Sequence, residues 1–347
     1  KGISIFLVVV GHAGCHAELY RFIYLFHMAA FFILAGCLYR SAEDGRDNIR
    51  AVVTYCWRRI KRLWWPYVFW GCAFVLSWNR LIGCGLVSGE PYSQHELVYR
   101  LIRVFPLWQG CGNLAGAFWF LRSMFYALCL YRLVEYAIER LNLHRRMVQT
   151  AVALLFALFY WTPWHVYVIG DRATLWGYVF IYIGHMLKEH GCDRPVGRRL
   201  IVSGLGSLCA LVLLFVTGRS VSFGGGEGKS ILCMILAGIA GWYGLLSLSS
   251  CLWRSKVLSY MGQHTMPILI LHFLAFKLVT ALGIILGYGD NTNLSAHPVA
   301  YFGFGWCLAY IFVGVVIPLV LNAAWWYIYG LLKSIVVAHG LFRKEQK

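Results

Sequence analysis

The sequence predicts an all-α integral membrane protein: one polytopic domain over residues 1–347, with about ten transmembrane helices and both termini in the cytoplasm. Three observations carry this prediction. Of the 347 residues 60% are hydrophobic and only 13% charged, with a mean hydropathy of +0.65, which excludes a soluble globular chain. Apolar runs of about 18–25 residues recur along the whole length, each able to cross a hydrocarbon layer ~30 Å thick as a helix. The connections between runs also alternate in charge. Segments 40–62, 136–147, 188–199, 251–258 and 333–347, together with Lys1, hold most of the Lys and Arg, which places them on the cytoplasmic side.

In chain order the predicted spans fall near 2–19, 22–39, 63–87, 115–135, 148–168, 173–188, 199–217, 231–250, 265–287 and 300–332. A cleaved signal peptide does not account for the first, because no small-residue cleavage site follows it and similar runs continue to the C-terminus. With no initiator Met, the chain is expected to begin a few residues late. The net charge of +17 reads as a topology signal with some attraction for anionic lipid; spread over five loops, it argues against a nucleic-acid partner. The twelve cysteines contain no C-x-x-C, and most lie in apolar runs as expected of small apolar thiols. Cys84 and Cys111, near one outer loop, are placed to pair in an oxidising periplasm.

The first span, "KGISIFLVVVGH", carries an ionisable residue at each end. Eleven helical steps of about 100° make three turns plus roughly 20°, so Lys1 and His12 share one face, separated by an axial rise of about 16 Å. A charge at mid-membrane costs on the order of 2.5–3.5 kcal/mol, and polar groups kept there usually face a cavity. Lys1 at the cytoplasmic mouth and His12 about half-way across are therefore expected to line one cavity, or else to serve as an anchor and a satisfied core imidazole. The second span, "FHMAAFFILAGCLY", adds His27, and "ILILHF" in the ninth adds His272. His12 and His16 stand at i, i+4, but no carboxylate accompanies them at metal-ligand spacing, so no metal is expected. Acid–base or acyl-carrier chemistry suits such isolated imidazoles better.

At "CWRRIKRLWWPY" the residues Arg58, Arg59, Lys61 and Arg62 crowd the entrance of the third span. They are read as a positive-inside anchor or, with Arg59 and Arg62 three apart on one helix face, as a grip for phosphate. A phosphorylated cytosolic cofactor fits there, coenzyme A if the histidine above handles an acyl group. In "GAFWFLRSMFY" the rings of Trp119 and Phe120 read either as interfacial anchors or as a stacking wall for a sugar or a pantetheine arm. In "GQHTMPILILHF", Gln263 and Thr265 are placed to cap the ninth helix.

Taken together, "KGISIFLVVVGH", "FHMAAFFILAGCLY", "RRIKRLWWPY", "GAFWFL", "FIYIGHMLKEH" and "GQHTMPILILHF" resemble the integral-membrane acyltransferase-3 family, and look closest to its fucose 4-O-acetylase-like branch. The resemblance runs in order over most of the chain, and the basic-x10-His opening is its most specific part. It implies a bacterial inner-membrane enzyme that uses cytosolic acyl-CoA, usually acetyl-CoA, to O-acylate cell-surface or lipid-linked glycans. It further implies that His12 is the essential histidine with Lys1 its basic partner, that Arg59 and Arg62 are the paired arginines, and that His27 is the second-span histidine. One departure is local: Ala29 and Ala35 stand where the family usually has a kinking proline and a small hydroxyl.

The mechanism this implies docks acyl-CoA by its phosphates near Arg59 and Arg62 and brings its thioester past Lys1 to His12, which acts as base or transient acyl carrier. A secondary transporter or flippase, with the histidines as a proton relay, is the competing reading. Duplicated halves with matching broken helices would favour it, and the sequence shows none.

Overall fold

A computed structural model of the chain describes residues 1–40, 49–108, 112–159, 172–218 and 230–345, the last eleven as helical backbone only. Among these residues the regular structure is entirely helical. The first predicted span is not one continuous helix. Helix α1 (Gly2–His12) ends at His12, and Gly14 follows at φ +69°, a left-handed conformation that glycine adopts without steric cost. His16 then starts α2 (Ala17–Tyr24), its Nδ1 accepting from the Glu18 amide at 3.4 Å, so His12 and His16 lie on different helices. After a bend at Leu25–Phe26 the chain continues as α3 (His27–Cys37).

Helix α4 (Ile49–Arg59) runs through a π turn at Ile60–Trp64 into α5 (Trp65–Gly83). Pro66 has no N–H with which to continue an α-helical ladder, and the Trp65 amide bonds back to the Ile60 carbonyl instead. Arg59 immediately precedes this widened turn and Arg62 lies within it, so the α-helical spacing expected to align them does not hold. Next come α6 (Gln94–Val104), α7 (Phe118–Arg140), α8 (Arg145–Phe159), α9 (Arg172–Glu189), α10 (Arg198–Val216) and α11 (Ile231–Cys251). The chain ends with α12 (Lys256–Gln263), α13 (Thr265–Ile285) and α14 (Phe304–Glu345). At the start of α13, His264 holds the cap position without a side-chain bond, and neither Gln263 nor Thr265 caps the helix.

Among the described residues five stretches are long and apolar enough to cross a membrane: Ala17–Cys37, α10, α11, α13 and Phe304–Ser334. With 11 residues, α1 is shorter. Other predicted runs form helices that carry buried charge. Helix α7 contributes Arg132 and Glu135, each 2% exposed; Glu135 Oε1 accepts from Arg145 Nε of α8 at 2.9 Å, and Arg145 also reaches Glu189 of α9 at 2.7 Å. The Tyr131 hydroxyl lies 2.6 Å from His185 Nδ1 in the same cluster. Inside a bundle such charges persist because they are paired. Part of the fifth predicted run, 160–168, falls outside the described residues.

Helices α3 and α9 cross at a reciprocal pair of glycines. A Cβ on Gly36 would lie 2.1 Å from the Ile181 carbonyl oxygen, and one on Gly184 would lie 2.1 Å from that of Ile33. Small residues let two backbones approach this closely where lipid supplies no hydrophobic drive. Gly184→Leu should therefore destabilise the protein by roughly 1–3 kcal/mol through overpacking, lowering the melting temperature in detergent. Gly206→Leu, on an open face of α10 with nothing within 4 Å, should melt as wild type. Equal melting of both variants would show that α3 and α9 do not meet at these glycines.

Candidate active site

Two of the three histidines singled out in the sequence meet at the far end of α1. His12 closes that helix, and its Nδ1 lies 3.3 Å from Nε2 of His272 on α13, with the two rings stacked at 5.2 Å. His272, fully buried, engages the Ile268 and Leu269 carbonyls through Nδ1 at 3.0 Å each. A carbonyl only accepts, so Nδ1 of His272 carries the proton and the Nε2 of the neutral ring is an acceptor. It takes the proton of His12 Nδ1, which leaves the lone pair of His12 on Nε2. There the Tyr24 hydroxyl donates at 3.0 Å. A base whose outer nitrogen faces a hydroxyl while its inner N–H is oriented by a buried acceptor repeats the logic of a catalytic triad, with an imidazole in the orienting position.

The third histidine flanks this pair. His27 is 2% exposed, donates from Nδ1 to the Ile23 carbonyl at 2.9 Å and packs its ring 4.7 Å from Tyr24. Phe273 closes the other side, 4.8 Å from His12 and 4.7 Å from His297. His297 belongs to the connection before α14; partial burial, and secondarily the Lys277 ammonium, hold its pKa down to about 4. At neutral pH it is therefore an uncharged donor and acceptor. Lys277 is buried and pins this connection to α13 through the Leu294 and Ala296 carbonyls, at 2.8 and 2.6 Å.

A disulfide between Cys15 and Cys307 fixes the turn after His12 to the start of α14. The sequence reading pairs neither of these two cysteines. Cys84 is exposed, and its suggested partner Cys111 lies outside the described residues. Neither Tyr24, Lys277 nor His297 was signalled by the sequence. Only the position of Tyr24 three residues before His27 was visible in advance, and a tyrosine there is unremarkable.

The remaining candidates lie apart from the imidazole pair. Lys1 is at the opposite end of α1, in the wall of a cavity of about 470 Å³ bordered by α1, α3, α11 and α12; His12 does not line it. Arg59 lies over the Tyr55 ring at 4.6 Å and Lys61 over Trp57 at 5.3 Å, while Arg58, Lys61 and Arg62 are exposed. The α4 helix bearing Arg59 packs on α7, whereas α1 packs on α12 and α13. Phe120 is 7% exposed and packs against Phe31 and Phe32 at 5.2 and 5.5 Å, with Trp119 edge-on to it at 6.3 Å. Among the described residues no group of three or more His, Cys, Asp or Glu stands close enough to hold a metal ion.

The profile of a protein family described as an acyltransferase domain matches residues 1–323. No curated protein and no solved structure gives a significant match to the chain.

The tautomer assigned to His12 has a chemical consequence. Tyr24→Phe removes the hydroxyl that occupies Nε2, so carbethoxylation of His12 by diethyl pyrocarbonate, followed by peptide mass spectrometry, should run several-fold faster than in wild type. An unchanged rate would mean that the free lone pair is not on Nε2.

Proposed function

The chain belongs to the acyltransferase-3 family and is a membrane acyltransferase; on that footing we propose that it moves an acyl group, acetyl above all, from cytosolic acyl-CoA to a hydroxyl of a cell-surface or lipid-linked glycan at the bacterial inner membrane. The observation that carries this reading is the His272–His12–Tyr24 chain of hydrogen bonds, which presents a basic imidazole nitrogen to a hydroxyl group. In the reaction an acceptor hydroxyl takes the place of the Tyr24 hydroxyl at His12 Nε2. His12 accepts its proton as the oxygen attacks the thioester carbon, the C–S bond breaks, and the proton passes to the leaving thiolate to give free coenzyme A. His272 is then a positioning residue that sets the tautomer of His12. Transient acylation of His12 itself is the second route through the same nitrogen.

The sidedness we propose keeps both termini and the basic connections in the cytoplasm. The disulfide beside His12 supports it, since such bonds persist in oxidising compartments. The phosphates of the donor sit at Arg59 and Arg62, with Arg58 and Lys61 adding charge. The acceptor approaches the end of α1 beside Phe273 and His297.

Purified His12→Ala protein should lose transfer of label from acetyl-CoA by a factor of at least about 100, the scale of removing a general base; wild-type rates would end this assignment. Reversing the charge of Arg59 and Arg62 together should raise the apparent KM for acetyl-CoA with little effect on kcat, measured by thiol release. An unmoved KM would take both residues out of the donor site.

A further inference from the structure

Beside the imidazole pair a buried charge stands without a counter-ion. Lys277 lies within α13, one of the stretches apolar and long enough to cross a membrane, and is 4% exposed. Its ammonium carries three N–H groups. The Leu294 and Ala296 carbonyls take two of them, at 2.8 and 2.6 Å, and accept without cancelling the charge. Among the described residues no carboxylate pairs with it. Asp290, in the same connection, is turned onto the Thr292 amide at 2.9 Å, and Glu18 at the start of α2 holds Arg21 at 2.7 Å. Burying an ion is costly unless it is paired, so an ionisable group kept inside an apolar span marks a site whose partner is to be named.

The position of Lys277 says what that partner belongs to. It follows Phe273 by one helical turn, on the same face of α13. The Phe273 ring stands between His12 and His297, at 4.8 and 4.7 Å. The Ala296 carbonyl that the ammonium holds belongs to the residue before His297, and the Lys277 charge reaches the His297 ring, which is itself exposed. From His272, which orients His12, Lys277 is five residues along, about 7.5 Å of helix. A group bound at its ammonium and a hydroxyl bound at His12 Nε2 can therefore belong to one small acceptor unit. A neutral hydroxyl would fill the third N–H, but only an oxyanion also compensates the charge, and it makes the stronger bond.

We propose that Lys277 selects an anionic acceptor: the hydroxyl that attacks the thioester belongs to a sugar unit bearing an oxyanion, carboxylate or phosphate, which takes the third N–H of the Lys277 ammonium. The assignment rests on the acyl-transfer reading above and narrows its acceptor to the anionic class. Lys277 acts in specificity, while His12 and His272 serve the proton transfer.

The test measures thiol release from acetyl-CoA by the full-length protein in detergent, with two matched pairs of acceptor probes: glucuronic acid against its neutral methyl ester, and glucose 1-phosphate against glucose. In the wild type at least one anionic probe should have an apparent KM roughly tenfold below that of its neutral counterpart, the scale of one charge-assisted hydrogen bond. Preference confined to glucuronic acid points to a sugar carboxylate, and preference confined to glucose 1-phosphate to a phosphate linkage. Lys277→Met should bring the two KM values of that pair together, and Lys277→Arg should keep them apart. A merely structural defect, from releasing the connection at Leu294 and Ala296, would impair both members of a pair and leave their ratio unchanged. The assignment is overturned if the wild type uses anionic and neutral probes alike, if no probe raises thiol release above the hydrolysis of acetyl-CoA, or if the preference survives in Lys277→Met. Wild-type protein that released no thiol from acetyl-CoA, with or without a probe, would remove the acyl-transfer reading itself, and this assignment with it.

Discussion

The contact between His12 and His272 is the constraint around which the bundle is arranged. An imidazole alone in an apolar interior has two accessible tautomers and no neighbour to select between them, so neither nitrogen is reliably basic. Here the ambiguity is resolved from the backbone outward. Helix α13 offers the Ile268 and Leu269 carbonyls to His272, His272 offers its other nitrogen to His12, and His12 is left with one free lone pair. His27 uses the same device, with Nδ1 on the carbonyl four residues before it. The geometry requires α1 and α13 to hold their distance. Close packing supplies this: a Cβ on Gly314 of α14 would lie 2.5 Å from Phe276 of α13 and 3.0 Å from Val9 of α1. The Cys15–Cys307 bond ties α14 to the turn after His12 at the same end.

Much of the site was legible in the sequence because membrane burial makes polar residues conspicuous. His12, His27 and His272 stood out as imidazoles in runs that are otherwise apolar, and the cost of keeping them there marks function. Their pairing was not legible, since His12 and His272 are 260 positions apart and periodicity speaks only of neighbours on one helix. The same distance effect hid the Cys15–Cys307 bond, whose partners are separated by 292 residues. Where helical arithmetic misled, local backbone chemistry was responsible. Gly14 in a left-handed conformation ends the helix expected to run through His16, and the π turn before Pro66 begins just after Arg59 and contains Arg62.

The charged cluster of α7, α8 and α9 shows the other use of polarity in this protein. Arg132 and Glu135 disqualify α7 as a simple apolar span, yet both are buried, and their carboxylate and guanidinium partners come from α7, α8 and α9 themselves. Such a network costs desolvation that its attractions only partly offset, so its value lies in fixing which helices are neighbours. It orients α9 for the glycine crossing with α3, and α3 begins at His27. The cluster is thus connected to the imidazole pair through backbone packing.

In the proposed reaction the donor is a long molecule with its charge at one end, and the bundle is divided to match. Carrying phosphate into a low-dielectric interior is prohibitively unfavourable, whereas a neutral amide arm needs only its few carbonyls and N–H groups satisfied. The basic residues at the α4–α5 junction and Lys1 therefore belong where they are, outside the apolar interior. His12 lies about 16 Å of helix beyond Lys1, so a donor held by its charged end must present its thioester on a neutral arm of comparable length. An acceptor reaching the disulfide end meets that thioester without the nucleotide ever leaving the basic side. In that proposed reaction, the separation of Lys1 from His12 along one short helix is what would let one site serve two compartments.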